Sequence, residues 1–295
     1  MRHTSGPAHR PDASPSALPR AFYEAFLDPS LAFTCAYYPR EEADLAEAQT
    51  AKFDFIARKL RLQPYQTLLD IDCGWGAFVI HASKRYGVTA HGITSSAERA
   101  EYAQEWIRRE GLEDQALVEH RDYRELVGEL QFDRISAIGG LEHVGLRHLA
   151  GYFNSLHRLL KDQGLFLCHG ITRPRQGMST EGSNWRDDRA FSGIEPPSPA
   201  TLVTQLEDNG FEIQDMENLR RHYAKTCAQW VERLQENRQA CLHHVDESVY
   251  RAWLLYLGMR SVYFEEGAVS LHQLLATKRQ AGFPLLPLTR EDIYA

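Results

Sequence analysis

Residues 67–76 read Thr67-Leu68-Leu69-Asp70-Ile71-Asp72-Cys73-Gly74-Trp75-Gly76. The run Leu68-Leu69-Asp70-Ile71 has the apolar character of a buried parallel strand. It ends abruptly in Gly74 and Gly76, and a helix-compatible segment, Ala77 to Tyr86, follows at once. Strand, glycine-rich turn and helix open a nucleotide-binding α/β unit. The glycines let backbone approach a ligand, and the helix N-terminus offers free N–H groups. The turn alone is weak evidence, because an ordinary βα turn reads the same way. A dinucleotide fingerprint fits worse. Its third glycine would fall at Val79, and no acid closes the second strand near His91.

Working outward, the chain alternates in the parallel-sheet manner, with strands predicted at 89–93, 116–120, 132–138 and 165–169. Ser95-Ser96-Ala97-Glu98 matches a capping box that starts one helix, and another helix is expected over 146–160. Residues 172–199 are rich in Gly, Pro, Arg, Asp and Ser, and their length predicts a lid or cap. A helix near 200–209, a strand at 211–216, two helices and a last strand at 268–277 complete the sheet. The first of those two helices carries Tyr223, Cys227, Trp230, Val231 and Leu234 at helical spacing; the second runs over 247–264. Upstream, 42–60 predicts a helix with Phe53, Ile56, Ala57 and Leu60 on one face, after an exposed aromatic segment, Phe33 to Tyr38. Residues 1–17 read as a disordered tail. The layout is then one α/β domain over 18–280, with a lid about 172–199, a helical insertion about 220–265, and a tail at 281–295 whose apolar run has no assigned place.

Composition removes several classes. A chain of 295 residues with 43% hydrophobic content can bury a sizeable core. The net charge of −7, with no basic block, argues against nucleic acid as partner. No apolar run approaches a membrane span, and the N-terminus lacks the apolar core of a secretory signal. Five widely spaced cysteines suggest no disulfide framework, so the expected setting is a reducing cytoplasm.

Five segments, taken together, carry a specific resemblance. Phe33-Thr34-Cys35-Ala36-Tyr37-Tyr38, Leu69 to Gly76, Gly92-Ile93-Thr94-Ser95-Ser96, Gly140-Leu141-Glu142-His143-Val144-Gly145 and His222-Tyr223-Ala224-Lys225-Thr226 resemble, in the same order, motifs of the cyclopropane fatty acid synthase family, which includes the mycolic acid methyltransferases. The resemblance covers about 22–278. It implies a Rossmann-like class I methyltransferase sheet, mostly parallel with an antiparallel last strand, N-terminal helices and a helical cap. It also implies S-adenosylmethionine (SAM) as cofactor and methylation of an isolated alkene carbon, usually in a lipid acyl chain, through a carbocation. A bound bicarbonate would be the base, cradled by Cys35, Glu142, His169, Ile171 (through its backbone) and Tyr223. The implied cofactor positions are Phe33, Thr34, Asp70, Asp72, Gly74, Gly76, Thr94, Ser95, Arg99, Asp122, Tyr123 and Ile138. Tyr37, Tyr38 and Tyr223 are candidates to face a cation with their rings.

Read one by one, the residues say less. Glu142 lies just past the fourth strand, where open α/β sheets bind ligands, yet a carboxylate there also offsets a helix dipole. His169 ends the fifth strand at the same edge. His143 reads as structural, Cys35 has no base paired to it by sequence, Tyr223 on a helical stripe reads as core, and Asp122 doubles as a turn residue. The chain also departs from the family pattern. Phe33 stands for Tyr, Asp72 for Gly, Ser95 for Leu and Arg99 for Gln. Asp72 puts a carboxylate where the ligand's amino acid end should lie: it pairs with the SAM ammonium, or it closes the site. Arg99 could answer Asp72 or a more anionic ligand. The lid segment Ser183-Asn184-Trp185-Arg186-Asp187-Asp188-Arg189 is polar and offers little wall to a long acyl tunnel. The acceptor expected is therefore an unsaturated lipid, or a carrier-bound or smaller unsaturated metabolite, with at most peripheral membrane contact. A homodimer stays open, as does a noncatalytic binding role or ordinary small-molecule methylation.

Overall fold

A computed structural model of the chain describes residues 18–126, 128, 130–174, 196–279 and 286–294. The chain enters through α1 (Arg20–Glu24), an extended segment, and α2 (Leu45–Lys59). The Asp44 carboxylate caps α2 by accepting from Glu47 N at 2.8 Å, and Arg58 and Lys59 sit in the last turn, where cations offset the helix dipole. Then come β1 (Thr67–Ile71), α3 (Ala77–Tyr86), β2 (Thr89–Thr94), α4 (Ala97–Glu110), β3 (Ala116–His120), α5 (Tyr123–Leu126), β4 (Phe132–Ile138), α6 (Leu141–Val144), α7 (Leu149–Leu159) and β5 (Leu160–Thr172). The remainder is α8 (Pro199–Asp208), β6 (Phe211–Asn218), α9 (Arg220–Glu236), α10 (Arg238–Leu242), α11 (Glu247–Glu266), β7 (Ser270–Lys278) and α12 (Glu291–Tyr294).

The seven strands form one sheet in the order β3-β2-β1-β4-β5-β7-β6. The first five run parallel; β7 is antiparallel to both β5 and β6. This is the Rossmann-like sheet with an antiparallel last strand that the sequence led us to expect. The chain leaves β1 for β2 on one side and returns to β4 on the other. The loops after β1 and β4 therefore part at a topological switch point, the ligand-binding crevice of open α/β sheets.

Several expectations need correction. The α4 cap is Ser96, whose Oγ accepts from Arg99 N at 3.3 Å; no box with Glu98 forms, because helical dihedrals begin one residue later than predicted. Strand β5 starts at Leu160, passing through Gly164 with a register irregularity against β4. The helical insertion holds three helices, α9 to α11, instead of two. The segment Phe33 to Tyr38 is not an exposed one: Cys35 and Ala36 are fully buried. It runs beneath an aromatic cluster in which the ring centroids of Phe33 and Trp230 are 4.8 Å apart and those of Phe33 and Trp253 are 5.6 Å apart. The tail beyond 286 has a place after all. Arg58 Nε donates to Ile293 O at 2.8 Å, and Arg61 pairs with Asp292 at 2.8 Å, so α12 docks on α2. The tail at 1–17, most of the lid, and residues 280–285 lie outside the described residues. Among the described residues no helix is long and apolar enough to cross a membrane.

Candidate active site

The loops after β1 and β4 and the last residues of β5 converge at one end of the sheet and wall a cavity with the N-terminal segment and helices α2, α9 and α11. Of the residues singled out from sequence, Phe33, Thr34, Cys35, Asp70, Asp72, Gly74, Arg99, Ile138, Glu142, His169, Ile171 and Tyr223 line it. A second cavity shares Asp72, Gly139, Gly140 and His143 with the first and extends past Thr94, Ser95, Asp122 and Tyr123. An elongated ligand crossing from one to the other would pass Asp72. Gly76 lines neither cavity. A Cβ there would lie 2.8 Å from Ala103 Cβ, so this glycine serves the packing of α3 against α4. Gly74, by contrast, faces open space at φ +57. Tyr37 and Tyr38 are also outside the first cavity. The Tyr37 ring stacks on Phe55 at 4.3 Å and on His222 at 4.9 Å, and Tyr38 Oη donates to Gln229 Oε1 at 2.8 Å. Of the three tyrosines, only Tyr223 presents its ring to the cavity.

Among the described residues, the buried Glu142 Oε2 and His169 Nε2 there have no hydrogen-bond partner. The Gln273 amide nitrogen lies 3.0 Å from His169 Nδ1. With the amide NH2 so placed, it donates, Nδ1 accepts and the ring proton sits on Nε2. Burial holds this imidazole well below its ordinary pKa, with Lys52 and Lys59 adding to the effect, so it is a neutral donor. Ile171 completes the group through the sheet. Gly139 N donates to His169 O at 2.8 Å, so the odd residues of this part of β5 turn their backbone toward β4. Strand β4 ends at Ile138, and two residues on, the N–H and C=O of Ile171 face the side left open. Burial raises the Cys35 thiol well above its ordinary pKa, which keeps it protonated and no nucleophile.

The carboxylates divide by environment. Asp70 is buried and accepts from Ser136 Oγ at 2.6 Å; burial pushes its pKa up to about 7. Asp72 takes φ +56, a left-handed conformation that glycine adopts more easily, and its carboxylate abuts Gly140, which has no side chain to oppose it. Arg99 places its guanidinium 5.4 Å from the Trp75 ring centroid and hydrogen bonds Tyr23. Asp122 sits at the second cavity with both oxygens engaged by Arg124, at 2.8 and 2.6 Å, which holds its pKa down. His143, read as structural, is exposed and stands where the two cavities join.

The N-terminal wall is set by contacts far apart in sequence. Ala36 N donates to Thr226 Oγ1 at 3.1 Å and Tyr38 N to His222 Nδ1 at 3.0 Å. From α2, the Gln49 amide reaches the carbonyls of Ala32 and Thr34, at 3.1 and 2.9 Å, and Lys52 Nζ reaches Thr34 Oγ1 at 2.8 Å. Sequence reading missed Gln49, Lys52, Gln273 and the cavity-lining Arg260, whose guanidinium stands 4.7 Å from the Tyr256 ring centroid. One signal was present: Gln49, Lys52, Ile56 and Lys59 recur at helical spacing as a stripe, and all four are buried.

Known proteins resemble this chain along most of its length. The mycolic acid cyclopropane synthetase family matches over residues 16–274. A probable fatty acid methyltransferase of Pseudomonas putida is 37% identical over 278 residues, covering 93% of this chain and 71% of that protein. Another probable fatty acid methyltransferase, from Mycobacterium tuberculosis, is 39% identical over 257 residues, covering 87% of this chain; the chain spans only 60% of that relative's length. The solved structure of the cyclopropane synthase MmaA2 from Mycobacterium tuberculosis superposes with a TM-score of 0.84 at 32% identity, covering 90% of this chain and 96% of that one. The mycolic acid cyclopropane synthase CmaA1, complexed with SAH and CTAB, gives 0.85 at 31% identity with the same coverage.

Proposed function

Since the chain belongs to the mycolic acid cyclopropane synthetase family and is a SAM-dependent methyltransferase, we propose that it methylates an alkene carbon of an unsaturated acyl chain or a related unsaturated metabolite. The observation that carries this reading is the pair of partnerless buried atoms, Glu142 Oε2 and His169 Nε2, in a cavity otherwise walled largely by aromatic and aliphatic groups. A buried carboxylate oxygen and an N–H left without partners are costly unless a ligand meets them. An anion with one O–H, such as bicarbonate, answers both: Glu142 accepts and His169 donates, while the Ile171 backbone and the Tyr223 hydroxyl close the cradle and Cys35 stands beside it, its thiol turned to the Ala36 and Leu219 carbonyls. Held there, bicarbonate supplies a base for the proton that must leave the new methyl group if a ring closes.

When bound, SAM supplies an electrophilic sulfonium methyl group. The residues then have three tasks: orient the alkene in line, exclude water, and face the developing cation with the Tyr223 ring. On this reading the amino acid end of SAM sits by the Gly74 turn and Thr34, which line the first cavity, and the nucleoside end by Thr94, Ser95, Asp122 and Tyr123, which line the second. We expect purified enzyme with SAM to add one carbon to an acyl lipid bearing a cis double bond, read as the corresponding mass gain. Glu142→Gln should lower the rate at least about 100-fold with SAM binding retained, as for loss of a group acting directly on the chemistry. An unchanged rate would remove Glu142 from the site.

One observation favours a second reading, a noncatalytic binding role: the left-handed Asp72 at the junction of the two cavities. Titration of SAM into the wild type and into Asp72→Gly separates the two. Binding by the wild type, weakened in the variant, makes Asp72 the partner of the SAM ammonium. Binding only by the variant makes Asp72 a plug.

A further inference from the structure

Lys52 is 1% exposed and lines the first cavity. It donates to Thr34 Oγ1 at 2.8 Å and lies 4.3 Å from the Phe53 ring centroid. No carboxylate stands within ion-pairing distance of it among the described residues. The negative groups that act on it from further off are Asp28, Cys35 and Asp70. Burial keeps the Cys35 thiol protonated and leaves Asp70 only partly ionised near neutrality, so the compensating charge comes chiefly from Asp28, which makes no ion pair with Lys52. Burying an ammonium without a counter-charge in contact with it is expensive. Thr34 adds a direction. Its hydroxyl oxygen is taken by Lys52, and its own hydrogen has no acceptor among the described residues, so the pair presents a donor backed by a positive charge to the cavity.

We propose that Lys52, acting through Thr34, is the positioning residue that recognises the carboxylate of the amino acid end of SAM. The assignment rests on the reading of this cavity as the SAM site, and it adds a role for a residue on α2 outside the glycine turn. Thr34 donates to the carboxylate, and Lys52 supplies the charge that makes that donor prefer an anion. Asp72 and the partly ionised Asp70 line the same cavity and stand ready for the ammonium, so the two ends of the zwitterion meet opposite charges.

The test is calorimetric titration of the full chain with SAM and with decarboxylated SAM, which has the same nucleoside and sulfonium but no carboxylate. The wild type should prefer SAM by about tenfold or more, the scale of one charge-assisted contact. Lys52→Met should bring the two ligands within about threefold of each other, mainly by weakening SAM. Thr34→Val, which keeps the side-chain shape, should do the same and carries the test if Lys52→Met does not fold. Equal weakening of both ligands, with the preference intact, would make Lys52 a structural residue and overturn the proposal. Binding of neither ligand by the wild type would instead overturn the reading of the cavity as a SAM site.

Discussion

Helix α2 buries two lysines two turns apart, and they live in opposite surroundings. Lys59 Nζ meets Asp215 Oδ2 at 3.0 Å and Glu217 Oε2 at 2.6 Å, both from β6, and Arg290 joins Asp215 from the C-terminal side. Lys52 meets a hydroxyl and an aromatic face, with no carboxylate within ion-pairing distance among the described residues. Both are excluded from water, at 0% and 1% exposure. A charge that the fold needs for itself is paired within the fold. A charge left unpaired beside a cavity leaves an attraction for something that arrives later. The same residue type on the same helix thus separates architecture from ligand recognition.

The largest effect should come from the paired lysine. Lys59→Met strands Asp215 at 4% side-chain exposure with Arg290 alone and deprives Glu217 of its partner. We expect a loss of about 3 kcal/mol in urea unfolding, in the range for breaking a buried pair from one side. A loss under about 1 kcal/mol would mean that Arg290 alone satisfies the cluster and would erode the contrast.

The unpaired lysine should show itself next in pH dependence. Burial lowers the Lys52 pKa from 10.5 to about 8. The unfolded chain therefore holds this proton over a range where the folded chain has released it, and stability contributed by this group rises as pH climbs from about 8 to about 10.5. The difference in unfolding free energy, wild type minus Lys52→Met, should grow over that window. A flat difference would show that Lys52 titrates as an ordinary lysine. The smallest effect is the sharpest comparison with Lys59. At neutral pH and without ligand, Lys52→Met should raise stability by about 1 kcal/mol, since the relief of desolvation exceeds one lost hydrogen bond. Destabilisation on the scale expected for Lys59→Met would make the two lysines alike.

Much of this molecule is legible in sequence because its signals are local. The run ending at Gly74 and Gly76 marks β1 and its turn, and the alternation of apolar runs and helices orders the sheet. The pairing of Phe33 to Tyr38 with His222 to Thr226 is visible only as two motifs; the structure shows them in contact across 184 residues. Lys52 and Gln49 escape notice because a polar residue on a helix ordinarily reads as solvated, and only the covering of both sides of α2 reverses that. Gln273 escapes because its role toward His169 depends on the register of β7 against β5, which no spacing within either strand encodes. Arg260 belongs to the same class, as a charge on a long helix whose surroundings come from other elements.

The placement of β7 between β5 and β6 has a consequence in time. Among the strands of this sheet, β7 leaves the ribosome last, yet it holds the one bonded neighbour of β6 and the Gln273 amide that sets the His169 proton. Until residue 278 has emerged, β5 and β6 both present unpaired edges, and the helices of the insertion have no closed sheet to pack on. The glycine turn can take shape early, from contacts close in sequence, whereas the proton-handling side of the site must wait for nearly the whole domain. Late truncations should therefore be felt first in the imidazole, far from the turn that announces the fold.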